Sequence, residues 1–98
     1  MRVKSMISGH SSVVAAKDQV SSDLGKEVAI LDLKAGVYYG LDDVGAQVWN
    51  LIQRPRTVNE IRDILLEKYD VERERCERDL LALLRRLAAE GLIEVKDS

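Results

Sequence analysis

The chain predicts an α+β fold, a three-stranded antiparallel sheet followed by a three-helix bundle, with a winged helix-turn-helix-like outline. Two observations carry this. Residues 19–41 hold short β-rich runs separated by glycine turns, and at Asp42-Asp43 the apolar period changes from that of a strand to that of a helix. Past that point come three apolar-periodic stretches with recognisable start or stop signals.

Residues 1–17 mix small, polar and apolar residues, and only Val13-Val14-Ala15-Ala16 hints at a strand. They are read as a flexible N-terminal arm ahead of a single domain over 18–96. Gln19 to Leu24 is the first strand, and Gly25-Lys26 suits a two-residue type II′ turn. Glu27 to Leu33 follows, with Val28 and Ile30 on one face and Ala29, Leu31 and Leu33 on the other. Lys34-Ala35-Gly36 is the next connection, where Gly36 can take φ > 0. The third strand is Val37 to Leu41, with Val37, Tyr39 and Leu41 facing one way and Tyr38 and Gly40 the other. A meander this small needs a cover.

The helices supply the cover. Asp42 stands at an N-cap position, with Val44, Val48, Leu51 and Ile52 on one side of a helix over about 43–53 that Pro55 ends. Thr57-Val58-Asn59-Glu60 is a capping box that opens a second helix, whose apolar side is Val58, Ile61, Ile64, Leu65 and Tyr69. The third helix runs from about Arg73 to Glu90 and stops at Gly91, a natural residue for the position after a helix. Cys76, Leu80, Leu83, Leu84 and Leu87 share one face of it. Leu81 and Ala88 widen that face to an arc of about 160°, more than packing on one neighbour needs. Leu92 to Val95 is a short terminal strand or tail.

Composition excludes several functions. With 98 residues there is room for one small domain, and the absence of Phe leaves a core of Leu, Val, Ile and Ala. The 15 basic and 17 acidic residues are interspersed, a formal net charge of −2, so no basic excess draws in a polyanion. The third helix would be the recognition helix of a DNA reader, yet acids alternate with its arginines. Cys76 is the lone cysteine, which fits a reducing compartment, and His10 is the lone histidine, so no metal centre is expected. The acidic residues sit beside Lys or Arg as solvated helix faces, and no glycine loop resembles a phosphate cradle. Neither an enzyme nor a cofactor is expected. The N-terminus lacks a signal-peptide pattern and no stretch is long enough to span a bilayer, so the cytoplasm is the expected location.

One feature points to a partner. The third strand of a three-stranded meander has an unpaired edge, which can take an extended peptide as an added strand. The wide apolar face of a neighbouring helix would form the opposite wall. The competing reading is that the arm or a second copy caps this edge.

Leu31-Asp32-Leu33, then Gly36-Val37-Tyr38-Tyr39-Gly40-Leu41-Asp42, then Trp49, resemble the PqqD-like family. So do Arg56-Thr57-Val58-Asn59-Glu60-Ile61 and the run from Asp79-Leu80-Leu81-Ala82-Leu83-Leu84 to Gly91-Leu92-Ile93. The resemblance covers about residues 18–95, and its specificity lies in the order and spacing of these motifs. The likeness is to the RiPP recognition elements, above all the stand-alone leader-binding proteins of lasso-peptide biosynthesis. It implies a non-catalytic adaptor that takes the leader of a ribosomally made precursor peptide as an antiparallel strand. A leader-cleaving cysteine protease and an ATP-dependent macrolactam cyclase are the implied partners. The implied peptide-binding residues are Leu33, Lys34, Val37, Tyr38, Tyr39 and Gly40 on the strand side. Cys76, Asp79, Leu80, Leu83 and Arg86 are their counterparts on the helix. Asp79 and Arg86 form one rim of the apolar arc, and Arg78, Leu81 and Arg85 the other. The sequence leaves open which rim faces the groove. For Trp49 a core role is favoured, and Tyr38 has the same alternative. The long arm departs from the family's pattern and is a candidate contact for the protease. A PqqD-type chaperone working with a radical enzyme is the second reading, and a winged-helix DNA-binding regulator the third.

Overall fold

The computed structural model describes residues 7–17, 19–23, 25 and 27–96. The meander expected at residues 19–41 is present as β2 (Gln19–Asp23), β3 (Val28–Asp32) and β4 (Val37–Leu41), paired in the order β2-β3-β4. Leu24 and Lys26, assigned from the sequence to the first strand and its turn, lie outside the described residues. Ile30 pairs with Tyr39 and Val28 with Leu41, so these four side chains share the inner face. Leu31 pairs with Tyr38 and Ala29 with Gly40 on the outer face. The β3–β4 turn is held locally: the Gly36 N–H donates to the Asp32 carbonyl at 2.7 Å, with Gly36 at φ 69°. The Asp32 carboxylate accepts from the N–H groups of Lys34 and Ala35 at 3.0 and 3.2 Å.

Three helices follow as α1 (Asp43–Leu51), α2 (Val58–Lys68) and α3 (Arg73–Ala89). Asp42 caps α1 by accepting from the Gly45 N–H at 3.0 Å. Helix α1 stops two residues short of the expected end. The Leu51 carbonyl accepts from Arg56 Nε at 2.8 Å, and the Ile52 carbonyl accepts from the Ala15 N–H at 2.8 Å. Both acceptors are thus engaged outside the helix. The capping box of α2 forms in both directions, Thr57 N–H to Glu60 Oε1 at 2.8 Å and Glu60 N–H to Thr57 Oγ1 at 3.1 Å. At the end of α3, Gly91 at φ 76° lets its N–H reach the Ala88 carbonyl and the Leu92 N–H reach the Leu87 carbonyl. These two bonds make a Schellman closure.

The expectation of a single sheet is corrected by a second one. β1 (Ser12–Ala15) lies between β5 (Arg56–Thr57) and β6 (Ile93–Lys96), antiparallel to both. The terminal Leu92–Val95 segment is therefore a strand over Ile93–Lys96, and the expected flexible arm is corrected from Ile7 onward. Ile7 and Val13 are buried in the core. The N–H groups of Val58 and Asn59 donate to the carbonyls of Ser11 and Gly9, both at 3.0 Å, and the Ala16 N–H donates to the Leu92 carbonyl at 2.9 Å. Gln19 Nε2 ties the two sheets together by donating to the carbonyls of Ala16 and Leu92. Residues 1–6 of the arm lie outside the described residues.

One core joins these layers. Ile30 of β3, Val48 of α1, Ile61 of α2, Leu84 of α3 and Val13 of β1 are all fully buried within it. Trp49 belongs to this core too, its indole Nε1 buried without a hydrogen-bond partner.

Candidate functional site

The helix α3 and the free edge of β4 face one another across a groove. Gly40, Leu41 and Asp42 form one side with Val44 of α1, and Asp79, Leu83 and Arg86 form the other, around about 440 Å³ of open space. A second, more apolar hollow of about 280 Å³ continues from it between the helices, walled by Val48, Leu65, Tyr69, Val71 and Cys76. Val44, Asp79 and Leu83 line both, which makes the two hollows one trough.

Each wall follows from a local rule. β4 is an edge strand: β3 pairs with one side of it, and no described strand pairs with the other. Its outward N–H and C=O groups are therefore a template for a further strand. Gly45 lets α1 start close against that edge, since a Cβ there would stand 3.2 Å from Leu41 Cβ and 3.3 Å from Asp42 Oδ1. On α3 the residues 76, 80, 83 and 79 fall within one face by helical spacing, so a single helix supplies apolar floor and polar rim together.

The expected site residues divide into three groups. Asp79, Leu83, Arg86 and Gly40 line the groove, and Cys76 and Leu80 are buried in the wall of the inner hollow. Tyr39 points to the same inner face but is engaged, its hydroxyl donating to Glu90 Oε1 at 2.7 Å. Leu33, Lys34, Val37 and Tyr38 lie at the turn and start of β4 and line neither hollow. Leu33 is 57% exposed, Val37 43% and Tyr38 71%. Tyr38 projects from the outer face with Leu31, so its side chain is not core, while its backbone belongs to the open edge. Of the two rims left open by the sequence, the one with Asp79 and Arg86 faces β4. Leu81 opens on a different hollow of about 210 Å³ with Gly9, Asn59, Arg62 and Glu77.

Val44, Tyr69 and Val71 line the trough without having been singled out for it from the sequence. Val44 shares the helical stripe of Val48 and reads as core, yet it is 41% exposed, in the first turn of α1 just past the end of β4. Tyr69, read from the sequence as part of the apolar side of α2, is the C-cap of that helix, and Val71 belongs to the α2–α3 connection, where no period marks a face.

Cys76 and Tyr69 of the trough are shifted in pKa by burial and by neighbouring carboxylates. Burial, then the neighbouring Glu77 carboxylate, pushes the Cys76 thiol up, so it is less a nucleophile than a free cysteine. Burial first, then Asp43, raises Tyr69. Asp79 meets Arg75 and Arg78 at 3.8 and 4.0 Å in exposed, weak pairs that a ligand can displace. Among the described residues no group of His, Cys, Asp or Glu could hold a metal ion, and no described helix is long and apolar enough to cross a membrane.

Comparison with known proteins bears on this trough. The family described as Coenzyme PQQ synthesis protein D (PqqD) matches residues 27–93. Among solved structures, TbiB1 in complex with the TbiA(beta) leader peptide is 38% identical, with a TM-score of 0.78 over 83% of this chain and 94% of that one. A lasso peptide synthetase B1 complexed with the leader peptide shares the fold at 23% identity, with a TM-score of 0.75 over 84% of this chain and 96% of that one. No curated protein matches. The matched span runs from the residue before β3 to the first residue of β6, taking in β4 and α3 and hence both walls of the trough, and the chain belongs to the PqqD family.

Proposed function

We propose that this protein is a non-catalytic adaptor, a RiPP recognition element that binds the leader of a ribosomally made precursor peptide, that of a lasso peptide. The observation that carries the reading is the edge of β4, which no described strand pairs, beside the apolar trough of α3. A leader laid antiparallel on β4 gains main-chain hydrogen bonds there, and every second side chain turns toward Leu83, Val44 and the inner hollow. Asp79 and Arg86 then sit where they can select polar or charged leader residues. The relative at 38% identity was solved with a leader peptide, which supports the same ligand class here.

The adaptor would present the leader to a leader-cleaving cysteine protease and to an ATP-dependent macrolactam cyclase. Holding the leader raises the effective concentration of the attached core peptide at the partner's site without any chemistry in this chain. A second reading, a peptide chaperone that serves a radical enzyme, is favoured by the family match itself. Fluorescence-polarisation titration with a labelled leader from the neighbouring precursor gene, against a scrambled leader, tests the adaptor reading. Saturable binding of the native order alone is the expected result, and equal binding of both peptides rejects it. Leader cleavage by the purified protease, accelerated by this protein, separates the lasso reading from the radical-enzyme one.

A further inference from the structure

Among the described residues, one hydrogen bond joins β4 to α3: Tyr39 hydroxyl to Glu90 Oε1, at 2.7 Å across 51 positions of sequence. It lies beyond the groove-lining stripe of α3. Asp79, Leu83 and Arg86 fall on successive turns, and Glu90 continues that line one turn further. Glu90 is also the C-cap of α3, where the helix dipole disfavours a negative charge. The carboxylate is therefore held where the helix itself does not favour it, and the donor that meets it comes from the strand that forms the opposite wall. The Tyr39 hydroxyl is held above its ordinary pKa, first by this bond to Glu90 and then by burial.

We infer that the Tyr39–Glu90 bond is a latch that sets the gap between the β4 edge and α3, and that Glu90 is a positioning residue for peptide binding. This rests on the adaptor reading above. Tyr39 stands at the middle of β4, its ring against the core beside Ile30. Holding its outer end to α3 fixes the strand as a preformed template, so less order has to be imposed when the peptide arrives. The latch leaves the groove itself open, because Glu90 and Tyr39 line neither hollow.

The test uses Tyr39→Phe, Glu90→Ala, Glu90→Gln and the double variant Tyr39→Phe/Glu90→Ala. Two readouts are taken, leader affinity by fluorescence polarisation and amide hydrogen exchange of β4 in the free protein. Tyr39→Phe and Glu90→Ala should each weaken binding about threefold, as loss of an exposed charge-assisted hydrogen bond does. The double variant should be no weaker than either single, the mark of one shared interaction. Glu90→Gln keeps an acceptor oxygen and should restore most of the affinity. Exchange in β4 should quicken in Tyr39→Phe and Glu90→Ala, with the far sheet unchanged. Unchanged affinity and exchange in folded Tyr39→Phe would overturn the latch, as would additive losses in the double variant. A wild-type protein that binds no leader rejects the adaptor reading instead, and the β4 exchange of the variants then decides whether the latch exists.

Discussion

The two sheets of this protein have three strands each and the same antiparallel pairing, and they differ in what packs around them. In β5-β1-β6 the central strand is paired on both sides and tied to its surroundings. Backbone bonds run from Gly9, Ser11, Ala15 and Ala16 into α2, the end of α1 and the approach to β6. Val13 at its centre has 0% exposure. In β2-β3-β4 the inner face is equally buried at Val28 and Ile30, but β4 ends the sheet with nothing described beside it. Apolar residues remain in solvent in and around it: among the described residues Leu33, Val37, Tyr38 and Val44 are the large exposed hydrophobics. An edge strand free of charge or proline is ordinarily a liability. Its place next to an apolar trough is what the proposed leader-binding role would use.

The largest effect should come from breaking the β5-β1-β6 sheet. Val13→Asp places an unpaired carboxylate in the core and should cost about 4 kcal/mol, enough to unfold much of a small domain. Val37→Asp at the open edge, opposite Asp32 in the ladder, should cost about 1 kcal/mol. Urea denaturation of both compares the sheets directly, and similar midpoints would erase the distinction.

Leu83→Glu comes next. Its side chain is half-buried in the trough wall, so the fold should survive while leader affinity falls roughly 10- to 100-fold, the cost of leaving a charge against apolar surface. Unchanged affinity in a folded variant would remove α3 from the groove.

Proline sharpens the comparison within β4 itself. Successive N–H groups of a strand point to opposite sides, so one of Val37→Pro and Tyr38→Pro removes a donor to β3 and the other a donor to solvent. The first should lower stability, and the second should weaken leader binding about tenfold with little change in stability. If both variants bind the leader normally, strand addition on this segment is wrong.

The smallest effect tests the start of α2, which lies away from the trough. Thr57→Ala removes the capping-box hydroxyl of α2 and should cost about 1 kcal/mol in thermal stability with leader affinity unchanged. A loss of affinity would show that α2 shapes the trough more than its position suggests.

Much of this was legible in the residues. The alternation of Val28 and Ile30, the glycine at 36, the Asp42 cap, the Thr57–Glu60 box and the Gly91 stop each mark a boundary through short-range chemistry, and each boundary stands within two residues of its place. The apolar stripe of α3 was legible for the same reason, as a period along one helix. The second sheet was not. β1 has four residues and β5 two, too few to show a period, and their partners lie about forty and eighty positions away. Leu83 and Leu84 look alike in the helix pattern, yet one is half-buried in the trough and the other fully buried.

By itself, then, the sequence determined the local elements and the change from strand to helix at Asp42. The tertiary structure alone decided that the N-terminal segment is a central strand, that Asp79 and Arg86 rather than Leu81 face β4, that Val44 is exposed, and that Tyr39 reaches Glu90. The physical reason is one of range. Caps, turns and periods are set by neighbours within a few residues, whereas an edge, a groove or a cross-chain hydrogen bond exists only once distant segments have been packed against a common core.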